Sequence, residues 1–314
     1  MTAPRGDGLG IEPGSDGTRS DGTGRLKVAV LQATGLVNSP QQNLHGLAGH
    51  AQEAHQQGAD LLVTPELFTA GYAPSLVHST DGAPQRKRLA EIASSLGMAL
   101  VASTVEHHEG RRYISASFFD RDGTELTRYR KQHLFGPAEN QAFDAGQEPP
   151  AVVPFGGINV ALGICFDIEF PEFARAAAVA GAELLCIPTA VPLRSGDPSR
   201  EEDGAGGDGD GGVADPFDTR LIPSMVVPTR ALENQLFIAY ANHSGPNFAG
   251  LSTIADPFGR RLAAAADDSQ LIQAEVELVT LREARRSTDY LAHLSIGTPA
   301  ARPHAAAHSS KGPQ

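Results

Sequence analysis

The chain predicts an α/β fold of mixed sheets with helices on their outer faces. Three observations predict it. Short apolar runs alternate with helix-period segments, which gives repeated β-α-β steps. Two turn signals, Arg121-Asp122-Gly123 and Asp256-Pro257-Phe258-Gly259, add antiparallel reversals to those steps. A length of 314 residues is enough to bury one substantial core.

The elements follow in order. Arg25-Leu26-Lys27-Val28-Ala29-Val30-Leu31-Gln32 is too apolar for a half-exposed ribbon and reads as a buried strand. A helix over about 41–57 ends at Gly58, and the strand 59–66 follows. A second helix, about 84–96, stops at Gly97 and leads into the strand 98–104. Residues 113–120 and 124–129 are strands joined by the first turn signal. Residues 157–164 form an apolar strand, followed by an alanine-rich helix over 171–180 and the strand 183–188, another β-α-β step. Residues 227–235 read as a helix and 236–242 as a strand. Strands at 251–255 and 271–277 flank the second turn signal. These elements by themselves fit several sheet architectures.

Both ends and one internal stretch carry little apolar content. Residues 1–24 and about 298–314 read as tails, which leaves 25–297 as one domain. An acidic, glycine-rich insertion spans about 195–216; between Ser199 and Asp215 it holds six carboxylates and one arginine. Such a segment cannot offset its ordering entropy and reads as disordered. Its glycines, Gly204 to Gly212, lack the Lys-Ser/Thr of a phosphate loop. The net charge of −12 argues against a nucleic-acid backbone as partner. No run approaches membrane-span length and no secretory leader is legible, so a soluble cytoplasmic protein is expected.

Three strand ends carry chemistry. Leu61-Leu62-Val63-Thr64-Pro65-Glu66 ends on a glutamate. Tyr129-Arg130-Lys131 ends on a lysine, and Glu139 stands in the loop beyond it. The strand 157–164 runs into Cys165-Phe166-Asp167-Ile168-Glu169-Phe170-Pro171-Glu172, which opens a helix. A thiol between a strand end and a helix N-terminus is placed to be a nucleophile: the turn exposes the sulfur, and a nearby cation favours the thiolate. The plain alternative is a small buried core residue. Cys186, mid-strand among apolar neighbours, fits that alternative, and two cysteines make no disulfide scaffold. Glu66 and Lys131, each taken alone, read as surface charges. Glu106-His107-His108-Glu109 lacks zinc spacing and reads as a hairpin loop, so no metal site is expected.

Taken together, and in this order and spacing, the three segments resemble the signatures of the nitrilase, or carbon–nitrogen hydrolase, superfamily, over roughly residues 26–295. The resemblance selects one architecture, a four-layer α-β-β-α sandwich, with dimerisation through helices or a higher homo-oligomer. It implies cofactor-independent hydrolysis through a cysteine thioester, with a small-molecule amide as partner. Cys165 is then the nucleophile and Glu66 the general base. Lys131 and the Phe166 backbone N–H stabilise the oxyanion, and Glu139 orients substrate and lysine. Tyr72, Val191 and Asn242 fall to the substrate pocket. The stretch Cys165 to Glu172 is similar to that of bacterial aliphatic amidases of the 5-aminopentanamidase and stereoselective-amidase type. This implies a small primary amide, ω-amino amides included, as substrate. A nitrilase, an N-carbamoyl amino acid hydrolase and an acyl-transferring relative are the alternatives within the superfamily. Phe166 stands where that branch has tyrosine and Val191 where it has asparagine, so a less polar pocket is expected.

Overall fold

The structure, a computed structural model, describes residues 24–194 and 217–294. The acidic insertion and the expected tails, Gly24 apart, lie outside the described residues. The first half contains β1 (Arg25–Gln32), α1 (Pro40–Gln56), β2 (Leu61–Val63), α2 (Pro74–Val77), α3 (Ala83–Leu96) and β3 (Ala99–His108). It continues through β4 (Arg111–Phe119), β5 (Glu125–Arg130) and α4 (Gly136–Ala142). Next come β6 (Val153–Phe155), β7 (Ile158–Leu162), α5 (Pro171–Val179) and β8 (Leu184–Pro188). The remainder is α6 (Val227–Asn234), β9 (Phe237–Ala241), β10 (Thr253–Ala255), β11 (Arg261–Ala264), β12 (Gln270–Glu277) and α7 (Leu278–Ser287).

Two six-stranded mixed sheets result, ordered β12-β1-β2-β3-β4-β5 and β11-β10-β9-β8-β7-β6. Each has three parallel central strands, β1-β2-β3 in one and β7-β8-β9 in the other, flanked by antiparallel partners. The central strands of the two sheets pack face to face, while α1 and α3 cover one sheet and α5 and α6 the other. This is the expected α-β-β-α sandwich. The parallel strands are buried on both faces, which is why they read as continuous apolar runs.

Local chemistry sets most boundaries. Pro40 and Pro171 stand at the first turn of α1 and α5, where a missing N–H costs nothing. Gly97 ends α3 in the left-handed conformation, φ 61°. Ala174, Ala177 and Ala178 put the apolar face of α5 on the sheet.

Three departures from the sequence reading have physical causes. The strand expected over 59–66 is only Leu61–Val63. Pro65 has no N–H to give a ladder, and the Glu66 N–H instead bonds the Thr189 carbonyl at the end of the opposite sheet. The loop expected at 106–109 is strand through His108, reversing at Glu109-Gly110, both with positive φ. There the Glu106 carboxylate is buried and accepts from Arg128 and Arg130 at 3.2 and 2.8 Å. Burial alone would raise its pKa, but the two guanidiniums win and hold it below the usual range. Finally, β6, β11, α2, α4 and α7 were not expected. The first four are short or, like β11, mostly exposed, and so carry little periodic signal; α7 buries only Leu281 and Ala284 among charged residues.

Candidate active site

The two sheets bring Glu66, Lys131, Glu139 and Cys165 to one end of the sandwich. Glu66 follows β2, Lys131 follows β5, Glu139 sits on α4, and Cys165 follows β7. Helix placement of Glu139, rather than the expected loop, aims its carboxylate back at the lysine. Lys131, Glu66 and Glu139 have no solvent exposure at all.

The Lys131 ammonium lies 2.8 Å from Glu66 Oε1 and 2.8 Å from each Glu139 oxygen. An isolated buried ammonium would be driven neutral. Burial here does pull its pKa down, but Glu139 and Glu66 outweigh that and raise it well above the usual lysine range. Glu139 is saturated: it also accepts from the Tyr72 hydroxyl at 2.7 Å and the Phe135 N–H at 2.8 Å. Tyr72, expected in the substrate pocket, therefore spends its hydroxyl on Glu139.

Glu66 is left in a different state. Burial pushes its pKa up to about 7, Lys131 opposing and Glu139 assisting. Its Oε2 is buried without a hydrogen-bond partner, and the Cys165 thiol faces the same carboxylate. His243 supports Glu66 from behind, its Nε2–H donating to the Glu66 carbonyl at 2.7 Å. Burial lowers His243 to about 4, so the imidazole is neutral at physiological pH.

Cys165 opens a tight 3-10 turn, Cys165–Glu169, with φ 48° in the left-handed region. A non-glycine residue there is strained, a state that functional sites commonly hold. The expectation of an exposed, thiolate-forming sulfur is corrected by the structure. Cys165 is 3% exposed, and burial together with Glu66 raises its pKa well above the usual thiol value despite Lys131. The two carboxylates already neutralise the ammonium, so little positive potential is left for the sulfur.

Asp167 holds this turn and was not singled out in the sequence. Its Oδ2 accepts from Tyr129 O–H at 2.9 Å and Ile164 N–H at 3.0 Å; its Oδ1 accepts from His133 N–H at 3.0 Å and His133 Nδ1–H at 2.8 Å. One buried carboxylate thus ties the nucleophile turn to the segment flanking Lys131. Asp167→Asn turns one acceptor into a donor facing donors. It should destabilise the fold by about 1–3 kcal/mol, read as a lower denaturation midpoint, and depress kcat by misplacing Cys165.

A small cavity opens on Cys165, lined by Phe135, Glu169, Val191, Pro192, Arg194, Phe217 and Thr219. Val191 contributes an apolar side chain to that lining. Phe166 packs edge-on against Phe135 and Phe170, with ring centroids at 5.3 and 5.0 Å, and so backs Phe135. Asn242 is spent on the protein: Oδ1 accepts from Val191 N–H and His243 N–H, and Nδ2 donates to Gly250. It fixes the wall instead of meeting a ligand. Glu169, Arg194 and Thr219 make this lining part polar.

The sandwich is that of a solved amidase from the nitrilase superfamily, that of Nesterenkonia AN1. The chain belongs to the carbon–nitrogen hydrolase family, whose model matches residues 27–286. It is 34% identical over 286 residues to a Pseudomonas protegens protein described as a hydrolase in the pqqF 5′ region, covering 88% of this chain and 91% of that one. It is 32% identical to an (R)-stereoselective amidase of a Pseudomonas species, covering 85% and 90% of the two chains. Among solved structures, an amidase from Nesterenkonia sp. superposes with a TM-score of 0.70 at 35% identity, covering 85% of this chain and 95% of its own. A mutant of the amidase from Nesterenkonia sp. AN1 shows Michael addition of acrylamide at its active-site cysteine. Among the described residues no helix is long and apolar enough to cross a membrane.

Proposed function

We propose that this protein is a thiol amidase that hydrolyses small primary amides to carboxylate and ammonia, with Cys165 as nucleophile. The observation that carries this reading is the thiol facing a carboxylate whose pKa lies near 7, beside a buried ammonium. As the sulfur attacks the amide carbon, Glu66 takes the thiol proton and a tetrahedral oxyanion forms. Lys131 and the Phe166 backbone N–H stabilise that oxyanion; proton transfer to Glu66 removes one of the ammonium's two counter-charges, so the lysine's charge becomes available to the oxyanion as it forms. Glu66 then protonates the nitrogen, ammonia leaves, and a thioester remains. Water attacks the thioester, giving its proton to Glu66, and the acid departs as the thiol reforms. Water is the only co-reactant the cycle consumes. Glu139, braced by Tyr72, keeps the ammonium charged and in place.

Self-association through the outer helices accords with this reading: Val179 on α5 and Leu232 on α6 are exposed, at 53% and 38%. Two free cysteines accord with a cytoplasmic location.

The test is ammonia release from a panel of aliphatic amides, nitriles and N-carbamoyl amino acids. Amides should be turned over, with kcat/KM rising as pH passes through about 7, where Glu66 becomes able to accept a proton. Equal or better turnover of matching nitriles would sink the amidase reading, and carbon dioxide released with the ammonia would redirect it to carbamoylases. A fall in hydrolysis on adding an amine acceptor would reveal acyl transfer.

A further inference from the structure

We propose that His243 is a positioning residue for catalysis: its ring sets where the Glu66 carboxylate stands and, through Tyr72, steadies Glu139 on the other side of Lys131. This deepens the amidase reading and rests on it. His243 lies outside the three segments whose residues carry the chemistry.

Glu66 stands beyond the end of β2, where its own sheet no longer holds it. Pro65 before it brings no N–H, and Leu67 after it is left-handed, with φ 49°. Two bonds fix the main chain of Glu66 instead, and both lead to the opposite sheet. Its N–H donates to the carbonyl of Thr189, which follows β8, at 3.1 Å. Its carbonyl accepts from Nε2–H of His243, which follows β9, at 2.7 Å. The first bond is backbone to backbone. The second depends on one side chain.

That side chain is itself held firmly. The His243 N–H donates to Asn242 Oδ1, which also takes the Val191 N–H. The imidazole stacks on Phe248, with centroids 4.7 Å apart and planes at 26°, and its centroid lies 6.4 Å from that of Phe68 and 6.3 Å from that of Tyr72. Tyr72 in turn donates to Glu139 at 2.7 Å. One fully buried ring therefore bears on both carboxylates that hold the ammonium, Glu66 through its main chain and Glu139 through a packed tyrosine.

The ring does not trade protons in the cycle. Its Nε2–H is committed to a carbonyl, and its Nδ1 is buried without a hydrogen-bond partner among the described residues. Burial holds its pKa down at about 4, so it stays neutral where Glu66 works. What it supplies is a fixed origin for a carboxylate that must meet the thiol, the leaving nitrogen and water in turn. A displacement of an ångström at such a base costs on the order of 100-fold in rate.

The experiment compares His243→Gln with His243→Phe on one amide that the wild type turns over, well below the thermal midpoints of both variants. Glutamine returns an N–H close to the place of Nε2 but gives up the stack on Phe248. Phenylalanine keeps the stack and gives up the donor. His243→Phe should lower kcat by roughly 10–100-fold with KM changed less than about 3-fold, and His243→Gln should recover most of that loss. A further readout needs no variant to fold. Nitrogen NMR of wild-type protein labelled at histidine should show one ring still neutral at pH 5.5, with its proton on Nε2.

The reverse order, with His243→Phe near wild type and His243→Gln impaired, overturns the proposal, because packing would then be the whole role. Equal loss of kcat in both variants does the same. So does a rise in KM at unchanged kcat, which would make the residue part of the binding wall. In the wild type, a neutral ring with its proton on Nδ1 would leave no donor facing Glu66, and a ring charged at pH 5.5 would be a proton carrier; either overturns it. Full activity in both variants defeats this inference alone. No ammonia from any amide with the wild type defeats the amidase reading and takes this one with it.

Discussion

Replacing Cys165 by alanine should lower amide turnover by about 10⁴- to 10⁶-fold, the loss expected when a covalent nucleophile is removed and only binding and charge stabilisation remain. The fold should survive. The side chain is small, alanine keeps the Cβ and hence the same backbone cost at φ 48°, and Asp167 still holds the turn through its four hydrogen bonds. The thiol is protonated at rest, so its loss removes no charge from the buried cluster. Cys186→Ala is the matched comparison. That residue lies in β8, fully buried in the core, where truncation costs packing but no chemistry. Cys165→Ala should retain its thermal midpoint within a few degrees and lose its activity; Cys186→Ala should do the reverse. Ammonia release and thermal unfolding, measured on both variants, decide the matter. Residual turnover within 10-fold of wild type in Cys165→Ala would rule out the covalent mechanism.

Lys131→Met should be costlier, because it damages activity and stability together. The substitution preserves length and hydrophobic volume but leaves Glu66 and Glu139 facing each other, fully buried, without their shared cation. Breaking one partner out of a buried ion cluster typically costs about 3–5 kcal/mol. The penalty must depend on pH, and the sign follows from linkage. Burial already holds Glu66 above its unfolded value, and removing the ammonium removes what opposes that shift, so folding favours its protonated form. The penalty is then small below about pH 4 and grows as pH rises through the raised value. Denaturant midpoints for wild type and Lys131→Met should therefore converge toward pH 5 and separate toward pH 8. Combining the change with Glu139→Gln, which removes one of the two charges, should recover part of the lost stability. A pH-independent difference would mean that packing, not charge, is what the lysine supplies.

How much of this was legible in the sequence varies from element to element. The limits of β1 match the strand read from Arg25 to Gln32, because its apolar run is continuous and its strand lies between two others. Helices α1, α3 and α5 fall within a residue or two of expectation, since proline and glycine mark their ends. The strand ends bearing Glu66, Lys131 and Cys165 were readable for a related reason: an apolar run that stops at a polar residue marks where chain leaves the sheet.

The sequence by itself determined which residues stand at those strand ends, and through their ordered resemblance the sandwich they belong to. Only the tertiary structure decided what state they are in. Glu66 and Lys131 are 65 residues apart in the chain, yet 2.8 Å apart in the fold. It is this meeting in a buried interior that keeps the lysine charged, lifts Glu66 to about 7 and leaves the thiol protonated, where the sequence alone suggested a thiolate. The same holds for Asn242, Asp167 and His243. Their residue types were visible, but whether each polar atom is spent on the protein or left for a ligand depends on partners from other strands. Periodicity and turn chemistry are local properties of a chain. Desolvation and charge pairing depend on neighbours that only the completed fold assembles.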